Sequence, residues 1–269
     1  MTRLIGVIAV NTFREAVRDR VFYNLVLFAV LLVGSSIVIG QLAAGQDVKI
    51  VKDLGLAAAS LFGVGIAIFI GIQLVAREVE RRSIYATLAK PVSRPALLLG
   101  RYAGLLLTLL VNITVMTVAL YVVLAVYQWR TPDDVQGLWT RPPLDPRLMI
   151  ALALIYVELA VVTAIALLCS TYSSALLSAS ITAALWVAGH FVADLRSLEA
   201  VGVNDATQWV ASAVSWVLPN LALFDVKAQV VHGLPIAARD VTFAVAYGGC
   251  YIAAVLALAM AVFARRELK

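Results

Sequence analysis

Six stretches of mostly apolar residues, each about as long as a membrane crossing, divide the chain, and no other feature limits its fold as much. A helix needs about 20 such residues to cross a hydrocarbon core of roughly 30 Å. Inside that core each backbone N–H and C=O has to be bonded within the protein, which favours helices. The reading is an all-α integral membrane protein, a single transmembrane domain over residues 1–269. Composition agrees, because hydrophobic residues make up 62% of the chain and charged ones 14%, against about 45–50% and about 25% in soluble domains. Disorder, fibres and an ordinary cytosolic enzyme are excluded.

The expected crossings are residues 22–42, 54–76, 97–127, 148–169, 174–194 and 241–263. The third is longer than a crossing needs and should tilt or project. The fourth and fifth come from one long apolar run, divided at Cys169-Ser170-Thr171-Tyr172-Ser173-Ser174. Cys169 and Cys250, the two cysteines, lie in apolar runs and read as small packed hydrophobes. Residues 1–21 are too charged for a cleavable signal peptide, so the first crossing is expected to insert uncleaved.

Six crossings put both termini on one side. With the termini inside, the inner segments hold 13 of the 21 Lys and Arg residues, among them Arg77, Arg81, Arg82, Arg265 and Arg266. Cytoplasmic loops keep such residues, so this orientation is preferred, and the net charge of +5 reads first as a topology signal.

Three segments do not cross. In residues 1–21, Val10, Phe13, Val17 and Val21 recur at helical spacing, with Arg14 and Arg18 on the other side. That pattern predicts an interfacial helix with its arginines at anionic headgroups. After the second crossing, Glu78 and Arg82 form an i, i+4 pair, and Ile84, Tyr85 and Leu88 add an apolar edge before Lys90-Pro91. A short charged helix is expected there, either as a surface another protein grips or as a solvated exit from the membrane. Between residues 195 and 240, the apolar run Gln208 to Leu218 is too short to cross, and its Trp209 and Trp216 suit the membrane interface. It reads as a re-entrant or interfacial helix.

The chain carries no phosphate loop, no H-E-x-x-H pair, no His/Cys ligand cluster and no nucleophile elbow. No catalytic residue and no metal site is assigned. Among polar groups within crossings, Glu158 stands out, roughly 16 Å from the outer end of its helix at 1.5 Å per residue. Intramembrane carboxyls are costly and functionally suspect. Glu158 is a candidate for a translocation path or a structural tie between helices. Asn112 and His190 join it as path candidates. On the boundaries above, His190 is only about 6 Å deep, so contact with Glu158 would need tilt or stagger.

The residues Glu78-Val79-Glu80-Arg81-Arg82-Ser83-Ile84-Tyr85, with Lys90-Pro91-Val92-Ser93-Arg94 and Leu99-Gly100-Arg101, resemble the cytoplasmic coupling segment of ABC-2-type permeases. Leu218-Pro219-Asn220-Leu221-Ala222-Leu223-Phe224-Asp225 and the closing Phe263-Ala264-Arg265-Arg266-Glu267 extend the resemblance. It implies the membrane subunit of an ABC exporter in the cytoplasmic (inner) membrane of a prokaryote. Glu78, Glu80, Arg81, Arg82, Ile84 and Tyr85 would then be the surface that follows the ATPase. It also implies two copies of a separate ATPase chain, which bind ATP and Mg, and a second permease copy or paralogue in the bilayer, with no nucleic-acid partner and no cofactor in this chain. The subgroup it is most similar to serves maturation of copper enzymes such as nitrous oxide reductase, yet no Cys/Met-rich route is present, and lipid-like, peptide and drug solutes stay open. The alternatives from the residues alone are a non-transporting membrane scaffold and an ion-coupled carrier using Glu158.

Overall fold

A computed structural model of the protein describes residues 2–41, 47–80, 94–132, 142–192 and 218–265. Eight α-helices account for most of them: α1 Thr2–Val17, α2 Arg20–Gln41, α3 Asp47–Glu80, α4 Arg94–Arg130, α5 Arg147–Tyr172, α6 Ala175–His190, α7 Lys227–Val231 and α8 Ala238–Arg265. A 3-10 turn, Leu221–Phe224, precedes α7, and among the described residues there is no strand.

Among the described residues, four helices are long and apolar enough to cross a membrane, through Val48–Ile72 of α3, Pro95–Arg130 of α4, all of α5 and Ala238–Phe263 of α8. The other two expected crossings correspond to α2 and α6, whose apolar stretches, Leu25–Ser35 and Ala175–His190, are shorter. The fifth expected crossing, 174–194, reaches beyond α6 into residues 193 and 194, which lie outside the described ones. Its helix stops at His190 after 16 residues, about 24 Å against a core of roughly 30 Å.

α5 is the hub, packing against α3, α4, α6, α7, α8 and the 3-10 turn. Leu154, Ile155, Leu159, Val161 and Leu167 are all buried, as suits a helix apolar all round. Asp145 Oδ1 accepts from the Arg147 N–H at 2.9 Å, satisfying one of the free donors at its start. α4 runs antiparallel to α5. The Tyr102 hydroxyl donates to the Ala160 carbonyl at 3.1 Å, and the Tyr156 hydroxyl to that of Leu106 at 3.2 Å. α8 runs parallel to α5, so the Arg94 end of α4, the Tyr172 end of α5 and the Arg265 end of α8 share one end of the bundle.

α1 is at that end, across the start of α4. Its buried residues are Ala9, Thr12 and Ala16; Ala9 and Thr12 meet Gly104 of α4, while Ile5 and Ile8 meet Gly100. The Val10, Phe13, Val17 stripe is not this face; Val10 is 46% exposed. The small residues turn to protein because two helix backbones approach only where side chains are short. A Cβ at Gly104 would stand 2.6 Å from the Ala9 carbonyl oxygen. Gly104→Ala is expected to cost about 1 kcal/mol through forced separation of α1, measured as a fall in thermal stability in detergent. Gly6→Ala, which adds a methyl into open space, should not lower it.

Candidate functional site

The buried carboxyl of the bundle has both an indole and an imidazole beside it. Glu158 of α5 is fully buried. Its Oε1 accepts a hydrogen bond from the Trp186 indole N–H at 2.8 Å and lies 3.4 Å from His190 Nε2. His190 Nδ1 is 3.0 Å from the Trp186 carbonyl oxygen one turn earlier. A carbonyl only accepts, so Nδ1 carries a hydrogen and Nε2 is turned to the carboxyl. The Trp186 and His190 rings meet edge-on, with centroids 5.2 Å apart. The second carboxyl oxygen, Oε2, has no hydrogen-bond partner among the described residues.

The register of the α5–α6 hairpin brings these groups level. Only Ser173 and Ser174 separate the two helices, tightened by a 2.7 Å bond between the Ser173 and Ser178 hydroxyls. Glu158 lies 14 residues before the end of α5 and His190 15 residues after the start of α6, so both are about 21–23 Å from the hairpin. Depth counted from an outer end at residue 194 put them apart. Counted from the hairpin they coincide.

The segment after residue 217 leans on this site. A Cβ at Gly189 would be 2.9 Å from the Pro219 carbonyl oxygen and 2.8 Å from Leu221 Cγ, and one at Gly248 would be 2.7 Å from Val157 and 3.2 Å from the Phe224 ring. Gly248 and Val157 each lie 10 residues into their helices, about 15 Å along, which puts Phe224 at nearly the level of Glu158. The Asn220 N–H donates to the Tyr247 phenol oxygen at 2.9 Å. From there the chain turns through α7 to Gly233, at a positive φ of 71° that glycine tolerates. The Arg147 guanidinium reaches the Gly233 and Leu234 carbonyls at 3.5 and 3.3 Å, back at the start of α5. Residues 218–231 thus run from beside Gly189 and Gly248 back to the start of α5. The run Gln208 to Leu218, with Trp209 and Trp216, lies outside the described residues apart from Leu218.

The other expected site residues are elsewhere. Asn112 is fully buried with both amide atoms unpartnered among the described residues. The tyrosine bonds set residues near 104 of α4 opposite Glu158, so Asn112 is about two turns away and does not join it. Arg14 and Arg18 line a polar cavity of about 470 Å³ with Asn11, Glu15 and Asp19. Glu78 and Glu80 end α3, while Arg81, Arg82, Ile84 and Tyr85 lie outside the described residues. Trp186 was not anticipated. The signal was available, since a buried indole N–H needs an acceptor and Trp186 stands one helical turn before His190.

A family model described as "ABC-2 family transporter protein" matches residues 7–268. The chain belongs to that family. No curated protein matches it. Members of the ABC-2 family are membrane subunits of transporters, and an ABC ATPase is their general partner. In this ABC-2 family protein the Leu218–Asp225 stretch, on which the sequence resemblance partly rests, is the part that packs beside Glu158, Trp186 and His190.

Proposed function

We propose that this ABC-2 family protein is the permease subunit of an ABC exporter, driven by two copies of a separate ATPase chain that bind ATP and Mg. The observation that carries the reading is the family match across residues 7–268. The lengths of α3 and α4 support it. At 34 and 37 residues they measure about 51 and 56 Å, so both overrun a core of roughly 30 Å. Their near ends, Glu80 and Arg94, flank the segment that would meet the ATPase. α1 and the end of α8 lie at this same end of the bundle, which supports both termini in the cytoplasm of a prokaryote, beneath its inner membrane. A second permease copy or a paralogue completes the assembly. ATP binding then biases the membrane part between two states, to the extent that the contacts differ between them.

Glu80→Arg and Arg81→Glu are expected to leave membrane insertion intact and weaken association with the ATPase about tenfold, or roughly 1.4 kcal/mol. Co-purification with the ATPase and ATPase stimulation measure this. Full association and stimulation in both variants would overturn the coupling assignment.

A further inference from the structure

We propose that Glu158 and His190 form a proton-binding site inside the bundle, holding one exchangeable proton between them, with Trp186 fixing where it sits. This goes beyond the permease reading, in which ATP supplies the energy and no proton is required.

The hydrogen-bond inventory carries the argument. His190 Nδ1 is committed to the Trp186 carbonyl, and Glu158 Oε1 accepts from the Trp186 indole. The remaining nitrogen, Nε2, faces the carboxyl across 3.4 Å. One proton between them gives either imidazolium with carboxylate or neutral imidazole with carboxylic acid, and both arrangements are neutral overall. With no proton a buried anion faces a lone pair; with two, a buried cation faces an acid. Each of those leaves a net charge in a low-dielectric interior, which is costly. Glu158 is fully buried while His190 keeps some exposure. That leaves little room for a hydrated metal or an organic cation, whereas a proton occupies no volume.

The surrounding groups leave the pair to titrate as a unit. Asp225 and Lys227 on the returning segment are within electrostatic reach and 3.7 Å from each other, so their opposite charges largely cancel. On α8 the Tyr247 oxygen takes the Asn220 N–H. The Tyr102 hydroxyl of α4 and the Tyr156 hydroxyl of α5 are committed to carbonyls. Lys52 of α3 donates to the Pro142 carbonyl at the Arg147 end of the bundle.

Trp186 is also the reporter, because an imidazolium in ring contact quenches indole emission. In the full chain in lipid nanodiscs, Trp129, Trp139, Trp209 and Trp216 are changed to Phe, leaving Trp186 as the single tryptophan. Its emission, followed against pH, is expected to show one single-proton step, quenched on the acid side. Glu158→Gln and His190→Gln should each remove the step, and Asp225→Asn should retain it. Flat emission in the parent overturns the proposal without any variant. So does a step that persists in Glu158→Gln or in His190→Gln, or one that vanishes in Asp225→Asn.

Discussion

Gly189→Val is expected to dislodge the segment over residues 218–231 and lower stability by about 3 kcal/mol, at the upper end of what overpacking costs. The Cβ alone would meet the Pro219 carbonyl oxygen at 2.9 Å and Leu221 Cγ at 2.8 Å, and valine adds two methyls. A flexible side chain could swing aside. The Pro219 carbonyl is backbone, held by its neighbour Asn220, whose N–H is bonded to Tyr247. The segment must therefore move as a body, and Phe224 with it. Thermal unfolding in detergent should show the loss, and cysteine labelling at Leu223 should show the segment more accessible. Gly249→Val, on the same α8 as Gly248 but facing open space, is the control. Equal thermal stability of Gly189→Val and the parent chain would refute the packing argument.

Glu158→Leu is expected to cost about 1–3 kcal/mol, the range for leaving a buried donor without its acceptor. Leucine fills much of the space but gives the Trp186 N–H nothing to bond. His190 loses its facing carboxyl as well. Glu158→Gln keeps an amide oxygen for the indole and should cost well under half as much. The decisive comparison is the pair Glu158→Leu with Trp186→Phe. Once the donor is gone, loss of the acceptor matters less, so the double variant should be more stable than the two single losses predict by about 1 kcal/mol. Strict additivity would mean that the 2.8 Å contact contributes nothing.

The helices α3, α4, α5 and α8 were legible because a crossing is a matter of length and apolarity, which sequence displays directly. Glu158 was legible for the converse reason, as a carboxyl in an otherwise apolar run. Its partnership with His190 was not. That depends on where α6 stops and on a two-residue hairpin, and a one-turn error in a boundary moves a side chain by about 5 Å. The packing of α1 on α4 was not legible, because a search for large apolar residues overlooks the packing of small ones. Ala9 and Thr12 carry little hydrophobic signal, yet they are what Gly104 admits. The re-entrant or interfacial helix expected over Gln208 to Leu218 lies outside the described residues apart from Leu218, and the packed segment over residues 218–231 follows it. It is seated by contacts from Gly189, Val157 and Tyr247, all distant in sequence.

The order of synthesis gives the α5–α6 hairpin a further meaning. Glu158 emerges from the ribosome 28 residues before Trp186 and 32 before His190, a delay of about 1–6 s at 5–20 residues per second. During that interval the carboxyl enters the membrane without either partner, at an insertion penalty of about 2.5–3.5 kcal/mol. An 18-residue stretch of α5 with Glu158 included still has a mean hydropathy of 2.5, apolar enough to offset it. Biogenesis of this helix therefore tolerates one acidic residue and has little margin for a second. A further charge introduced into α5 should be lost at the translocon, before any folded protein exists to be destabilised.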